Sequence, residues 1–340
     1  MDEEQVFNST SDIESAYRRG FKGAYADPEA DKALWSYIRS AGGVTDASRA
    51  CRKYGLEGSG EGELSLPFLE IFDLYPDCLP GGSQQRGDCV SWSTRNACLG
   101  TMCCEITSGV PDEVSGRLEG APSVSREGIK YGVLSCEAIY NWRRHGGDGW
   151  TCSAAANVVL KESGLWLRKN YPSIDLDLTK YSGRNAGIYG RTTPPESWLK
   201  IGEDHLVRTA TSVSSYEELR SMLANGYCIS SCGSEAWEST RDEYGVSRRR
   251  GSWAHALAYL GVDDRKVIIE KYGEPLILVQ NSWGAWNRGG TRIYKTGLDI
   301  PVGSFWSKWS DLSRRSMIAF SGVNGWPPKK LKNYGAIGKI

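Results

Sequence analysis

The sequence has few of the residues from which metal centres are built. It contains 3 histidines in 340 residues, no Cys-x-x-Cys pair and no His-Glu-x-x-His segment. Because zinc sites rely on such spacings, no metal site is predicted, and no residue pattern calls for a cofactor. Long apolar runs are also missing. None approaches the roughly 20 residues that cross a bilayer, so no membrane span is predicted.

An excess of charge of either sign is missing as well. The 41 Lys+Arg balance the 41 Asp+Glu, which gives a formal net charge of +0. Strongly basic surfaces attract nucleic acid or anionic membranes, so no nucleic-acid partner is predicted. Residues 1–5 are acidic and are followed by no apolar core, so we recognise no secretory signal. We therefore expect a cytoplasmic or virion-associated protein.

Cysteines, by contrast, are numerous, with 10 in the chain. An even number can support disulfides in a secreted protein. Because no secretory signal is recognised, most of these cysteines are predicted to be buried, reduced thiols.

The pattern of apolar residues and turn signals divides the chain into parts. Residues 1–62 are predicted to be a helical extension, and 327–340 a basic tail after a Pro-Pro break. The domain between them, 63–326, is predicted to be mainly helical over 63–212 and mainly β over 213–326. This order of elements predicts an α+β fold.

Three helices and four strands are marked most clearly. One helix is predicted at Cys89–Cys104, with Asp88 as its cap, and another at 154–163. A third follows Ser215, which forms a capping box with Glu218. The predicted strands are short runs rich in β-branched and aromatic residues, namely Ala256–Gly261, Val267–Ile269, Leu276–Gln280 and Arg292–Tyr294.

Three segments that are far apart in the chain carry the candidate chemistry. Cys89 follows a Gly-Asp pair at a helix start, His255 lies in Trp-Ala-His-Ala, and Asn281 begins Asn-Ser-Trp-Gly. A helix N-terminus favours a thiolate, and a histidine can take the thiol proton and later protonate a leaving amine. The side-chain oxygen of an asparagine can orient the imidazole. We therefore predict Cys89 as the nucleophile, His255 as its base and Asn281 as the orienting group.

Two further roles complete the predicted site. A tetrahedral intermediate needs hydrogen-bond donors for its oxyanion. The backbone N–H of Cys89 is one candidate and the Gln84 side chain is the second, with Gln85 as the alternative. Trp283 is predicted to cover the bond between His255 and Asn281 and to keep water away from it.

These segments resemble the papain-like cysteine peptidases. In that family a Gln precedes a Gly-x-Cys helix start, a His-Ala pair precedes a strand, and Asn-Ser-Trp-Gly is followed by an aromatic residue and glycines. Residues 281–293 follow the last block closely, and the similarity covers roughly residues 80 to 320 in the same order. The sequence departs from the family at Ser83, where the family has its Gln, and at Val90, where the family usually has Trp.

The resemblance implies a two-lobed fold with a helical left lobe, an antiparallel β-barrel right lobe and an active-site cleft between them. It also implies a polypeptide substrate, cleaved through an acyl-enzyme on Cys89. One alternative is a structural protein, in a virus particle or another larger assembly, that keeps this fold without activity. Another is a different Cys-His enzyme, such as a cell-wall amidase or a transglutaminase-type acyl transferase, although the latter usually has Asp in place of Asn281.

Overall fold

The computed structural model describes residues 9–18, 20, 22–75, 82–108, 133–203, 207–287 and 300–331. The α-helices in these ranges are α1 (Thr10–Arg18), α2 (Pro28–Ser40), α3 (Ala47–Tyr54), α4 (Phe68–Leu74), α5 (Cys89–Thr107), α6 (Glu137–Tyr140), α7 (Cys152–Lys161), α8 (Glu196–Glu203), α9 (Tyr216–Ala224) and α10 (Lys266–Tyr272). The strands are β1 (Leu64–Ser65), β2 (Asn170–Tyr171), β3 (Leu176–Asp177), β4 (Thr209–Val213), β5 (Ile229–Trp237), β6 (Arg249–Asp263), β7 (Leu276–Gln280), β8 (Ser304–Lys308) and β9 (Ser316–Ser321). Helices thus dominate the first part of the chain and strands the second, as predicted.

Several helices begin where a polar side chain accepts a hydrogen bond from a backbone N–H of the first turn. Asp27 caps α2, Thr151 caps α7, and Ser215 caps α9 as predicted. Because Thr151 supplies the cap, α7 begins slightly earlier than the predicted 154–163. α9 places Leu219 and two further apolar residues in the core.

The central helix is α5, which begins at Cys89 as predicted and has buried side chains from Cys89 to Glu105. It packs against α4 and α7 and against the strands β5 and β6. The prediction that Asp88 caps this helix is wrong. Its backbone, at φ −98° and ψ 21°, is not extended, and its carboxylate accepts a hydrogen bond from the Tyr181 hydroxyl at 2.9 Å.

The main sheet has seven antiparallel strands in the order β4-β9-β5-β6-β7-β8, with β1 paired to β6, while β2 and β3 form a separate hairpin. The predicted barrel is not closed. A closed barrel requires the two end strands to pair with each other, and β4 and β8 do not pair within the described residues. The long strand β6 lies between β5 and β7 in this sheet and carries His255.

One predicted strand is a helix. Val267–Ile269 lies inside α10, which ends at Gly273 in the left-handed conformation with φ 81°. A short apolar run does not distinguish a strand from a helix, and here the helical reading is the correct one. Ala256–Gly261 and Leu276–Gln280 are strands as predicted. Arg292–Tyr294 lies outside the described residues.

The prediction of reduced thiols is wrong for Cys152 and Cys232, which form a disulfide between α7 and β5. Their sequence separation is 80, so only the packing of α7 on the sheet brings their Cα atoms within 5.9 Å. The buried cysteines that remain thiols as predicted include Cys51, Cys98, Cys104, Cys136 and Cys228.

None of the helices within the described residues combines the length and the apolar character that a membrane span requires.

Candidate active site

Backbone pairing joins two of the three predicted segments. Ser83 and Trp283 form an antiparallel bridge. Next to it, the Gln84 N–H donates to the Ser282 carbonyl at 2.8 Å, and the Gly284 N–H donates to the Gly82 carbonyl at 3.0 Å. The segment before Cys89 is therefore fixed against the segment that contains Asn281.

His255 and Asn281 are hydrogen bonded, with 2.8 Å between Nε2 of the imidazole and Oδ1 of the amide. Both residues are fully buried. The same Oδ1 accepts the backbone N–H of Ser282 at 2.7 Å, which fixes the orientation of the amide. Because Oδ1 can only accept, Nε2 carries the proton in the neutral ring, and Nδ1 holds a lone pair. Nδ1 has no hydrogen-bond partner among the described residues, so it is available as a base.

The sulfur of Cys89 lies beside the strand that carries His255. It accepts a hydrogen bond from the backbone N–H of Ala256, the residue that follows the histidine on β6. Cys89 is fully buried. Burial raises the pKa of its thiol to about 12, against smaller opposing effects of hydrogen bonds. Burial likewise lowers the pKa of His255 to about 3. Both groups are therefore neutral at neutral pH in this structure.

Tyr17, from α1, contacts the site and contributes to its burial. Its hydroxyl donates to Cys89 Sγ at 3.4 Å. Its ring centroid lies 4.9 Å from that of His255 and 5.1 Å from that of Trp283. Burial raises the pKa of Tyr17 well above its ordinary value, and a hydrogen bond from the Gln84 side chain opposes this effect. One phenol thus contacts Cys89, His255, Gln84 and Trp283.

Residues 22–25, named here the N-terminal strap, lie in the groove between β6 and the segment that leads into α7. The N–H groups of Gly23 and Ala24 both donate to the Ala254 carbonyl at 2.8 Å. On the other side, the Trp150 N–H donates to the Gly23 carbonyl at 3.0 Å, and the Tyr25 N–H donates to the Trp150 carbonyl at 3.0 Å. The strap therefore bridges the residue before His255 and the segment that leads into α7.

Gly23 is the strap residue closest to the sulfur. A Cβ at this position would stand 1.8 Å from the Tyr17 hydroxyl oxygen and 2.8 Å from Cys89 Sγ. Only a residue without a side chain fits between the strap and the thiol. The Gly23 carbonyl is bound by the Trp150 N–H, so it does not face the sulfur as a scissile carbonyl would.

The two candidate glutamines have different surroundings. Gln84 is buried; its Nε2 donates to the Arg86 carbonyl at 2.6 Å, and its Oε1 accepts the Ser282 hydroxyl. Since Nε2 carries two protons, the second can reach the Tyr17 hydroxyl. Gln85 points elsewhere, because its Oε1 accepts the Gly183 N–H at 2.8 Å.

Trp283 is fully buried, and its ring lies 4.6 Å from the His255 ring at an interplanar angle of 33°. It also packs on Trp253 at 4.6 Å and on Trp286 at 5.7 Å between centroids. This aromatic cluster covers one face of the histidine. Apolar cover of this kind strengthens a hydrogen bond by excluding water.

Sequence reasoning did not find Tyr17, Gly23 or Ser282. Ser282 was within reach, because it lies inside the Asn-Ser-Trp-Gly block and a hydroxyl there can hold a neighbouring amide. Tyr17 and Gly23 carry no motif, since their positions depend on how the N-terminal segment crosses the groove. The described residues contain no group of three or more His, Cys, Asp or Glu placed to hold a metal ion.

No protein-family model matches the chain, and no curated protein matches it. Among solved structures, xylellain, a cysteine protease from Xylella fastidiosa, is 16% identical and covers 79% of this chain and 98% of its own, with a TM-score of 0.46. The proform of the ragweed pollen allergen Amb a 11, a cysteine protease, is 13% identical and covers 92% of each chain, with a TM-score of 0.45. Digestive procathepsin L 3 of Tenebrio molitor larval midgut is 12% identical, covering 92% of this chain and 99% of its own, with a TM-score of 0.41. The chain is similar to these papain-like proteins, but at such identities and scores the likeness says nothing about activity.

Proposed function

We propose that this protein is a cysteine peptidase, seen here in a closed form. The observation that carries the proposal is that three distant segments meet: Tyr17 contacts Cys89, Gln84 and the ring of His255, and His255 is hydrogen bonded to Asn281. In the proposed enzyme, the helices and the sheet are the two lobes, and the groove now filled by α1 and the strap is the substrate cleft. A polypeptide is the proposed substrate.

The proposed reaction begins when His255 Nδ1 takes the Cys89 proton, which leaves a thiolate and an imidazolium whose Nε2–H stays bonded to Asn281. The thiolate attacks the scissile carbonyl carbon, and the carbonyl π electrons move to the oxygen. Gln84 Nε2–H and the Cys89 backbone N–H are the donors for this oxyanion. The oxyanion then collapses, the C–N bond breaks, and the Nδ1–H protonates the leaving amine.

The second half of the reaction returns the enzyme to its starting state. Water attacks the thioester carbon while His255 Nδ1 takes one of its protons. Collapse of the second tetrahedral intermediate breaks the C–S bond and releases the acid. The thiolate of Cys89 then takes the proton back from the His255 imidazolium. The Trp283 ring beside His255 keeps bulk water off the bond to Asn281 in both halves.

The closed form does not support this reaction as it stands. The Tyr17 hydroxyl occupies the position beside Cys89 and Gln84 that the oxyanion needs, and burial keeps both the thiol and the imidazole neutral. Activity therefore requires α1 and the strap to leave the groove. The same occlusion supports a second candidate, a protein that keeps the fold for a structural role and never opens.

An experiment on the full chain separates these two candidates. An epoxide thiol probe and a mixed peptide library are offered at neutral pH to the wild type and to Tyr17→Ala, and labelled peptides are mapped by mass. Because Tyr17→Ala removes the contact that holds α1 on the site, we expect α1 and the strap to leave the groove, Cys89 to be labelled and peptides to be hydrolysed. Cys89→Ser or His255→Ala in the same background should abolish both. Cys98→Ser, another buried thiol of α5, is the matched control and leaves both unchanged. If His255→Ala does not change the labelling rate and no peptide is hydrolysed, the peptidase proposal is wrong and the structural role is favoured.

A further inference from the structure

A buried arginine lies behind the histidine. Arg315 directly precedes β9, and its side chain is 0% exposed. Its Nη2 donates to the main-chain carbonyl of His255 at 2.6 Å. A charge-assisted bond of this length is strong, because one partner is ionised and the site is dry. The side chain therefore holds the backbone from which the imidazole projects.

The guanidinium uses all its donors on the two strands around His255. Nε donates to the Ser231 hydroxyl at 3.0 Å, and Nη2 donates also to the Ser231 carbonyl at 3.4 Å. Nη1 donates to the Glu235 carboxylate at 3.2 Å and to the Glu235 carbonyl at 3.4 Å. A buried arginine costs free energy unless it is paired in this way, and breaking such a pair is strongly destabilising. The carboxylate of Glu235, itself buried, balances the charge.

The strands are irregular at this position. β5 and β6 pair regularly up to Gly233, which lies opposite His255, and the next paired residues are Glu235 and Ser252. Between these two pairs, β6 contains one residue more than β5. A bulge loosens the ladder and re-aims the side chains beside it. Arg315 packs closely against Gly233 beside this irregularity, since a Cβ on Gly233 would meet Arg315 Cγ at 2.6 Å. The glycine and the arginine are thus complementary.

We propose that Arg315, paired with Glu235, is the positioning residue that aims the His255 imidazole at Asn281 and Cys89. The expected effect on catalysis rests on the proposed function. The restraint of the His255 backbone by Arg315 does not, because it is a property of the fold. The irregular pairing begins next to His255, and the arginine adds a side-chain restraint at that point. A displacement of the imidazole of about 1 Å costs a site of this kind about 100-fold in rate.

Arg315 also acts on the charge of the imidazole. Burial is the largest cause of the lowered pKa of His255. The positive charge of Arg315 lowers it further, because a cation nearby opposes protonation of the imidazole. The other titratable or charged groups that face the histidine are Tyr17 from α1 and Cys89 from α5, with Glu235 of β5 acting behind Arg315. Glu235 offsets the positive charge of Arg315. Removing the charge of Arg315 should therefore raise the pKa of His255, and removing the charge of Glu235 should lower it.

The test uses the full chain in the Tyr17→Ala background, with two readouts. The first is the pKa of His255 by NMR, which is practical because the chain has 3 histidines and His255→Asn assigns the signal. The second is the pH profile of Cys89 labelling by the epoxide probe. We expect Arg315→Met to raise the His255 pKa by about one unit and to reduce the maximal labelling rate about 100-fold. We expect Glu235→Gln to lower that pKa.

Arg315→Lys separates position from charge. It keeps the cation but loses the planar fork, so the His255 pKa should stay near the parent value while the labelling rate falls. Arg220→Met is the matched control and should change neither readout. It breaks another ion pair, that of Arg220 with Asp264, which directly follows the last residue of β6. If Arg315→Met does not fold, Arg315→Lys and Glu235→Gln still test the proposal.

The outcomes are distinguishable from failure of the proposed function. An unchanged His255 pKa in Arg315→Met and Glu235→Gln, or full labelling in Arg315→Lys, overturns the positioning role. If the parent shows no His255-dependent labelling, the peptidase proposal fails instead. The NMR measurement still tests Arg315 in that case, because it needs no catalysis.

Discussion

The Tyr17 hydroxyl donates a hydrogen bond to the sulfur of Cys89 at 3.4 Å, across a sequence distance of 72 residues. A side chain of the N-terminal helix α1 thereby covers the candidate nucleophile. Burial of the site, to which this side chain contributes, raises the pKa of the thiol and lowers that of the imidazole. A residue outside the candidate catalytic group therefore contributes to the burial of the site.

The first prediction follows from this contact. In Tyr17→Ala, water reaches the sulfur, and the thiol pKa falls from about 12 towards its ordinary value of about 8.5, so Cys89 labelling at neutral pH should rise roughly 100-fold or more. Tyr17→Phe keeps the ring in place and loses only the hydroxyl, so its labelling rate should stay close to the wild type. The rates are measured with the epoxide probe. Equal rates in Tyr17→Ala and the wild type would contradict occlusion by this side chain.

A second prediction concerns the hydroxyl that holds Gln84. Ser282→Ala removes the bond to Gln84 Oε1, so the amide can turn away from the oxyanion position. We expect kcat for peptide hydrolysis to fall about 10-fold, against about 100-fold or more for Gln84→Ala, with KM little changed. Both are assayed in the Tyr17→Ala background. Gln85→Ala is the comparison, and a larger loss there than in Gln84→Ala would reassign the donor.

A third prediction is a pH dependence of stability. Burial raises the pKa of Asp88 from 3.8 to about 8. Between these values the folded state keeps a proton that the unfolded state has lost, so the contribution of Asp88 to stability falls as pH rises. His255 has the opposite sign below its ordinary 6.5, because its folded pKa is about 3. The Asp88 contribution is therefore clearest between about 6.5 and 8.

Asp88→Asn isolates this contribution, since the amide can still accept the Tyr181 hydroxyl but cannot titrate. The difference in free energy of unfolding, wild type minus variant, should decrease by up to about 1.4 kcal/mol per pH unit across that window. Urea denaturation at several pH values measures it. Parallel curves for the two proteins would show that Asp88 titrates normally.

The fourth prediction concerns the disulfide between Cys152 and Cys232. It closes a loop with a sequence separation of 80 and ties α7 to β5 beside the groove. Replacing both cysteines by serine should cost about 4 kcal/mol of unfolding free energy, chiefly because the unfolded chain gains freedom. Denaturation with and without a reductant checks this. Reductant should destabilise the wild type and leave the double variant unaffected, and a wild type indifferent to reductant would count against the bond.

Much of the site could be read from the sequence because its parts are local. A Gly-Asp-Cys helix start, the His-Ala pair and Asn-Ser-Trp-Gly each act through residues that are close in the chain, so their identity is visible without the fold. The positions of Cys89, His255 and Asn281 follow from such segments. The helix of Val267–Ile269 was missed for the opposite reason, since a short apolar run fits either structure and its neighbours decide.

Local sequence thus predicts the candidate reactive side chains, the helix start that carries the thiol, and the division into a helical part and a β part. The packing of the folded chain, by contrast, places Tyr17 and the strap over the candidate site, joins Cys152 to Cys232, and sets Arg315 behind His255. Those contacts join residues that are 60 or more positions apart. No local spacing encodes them, because they depend on how whole elements pack, and the same packing sets the burial that shifts the pKa of Cys89 and of His255.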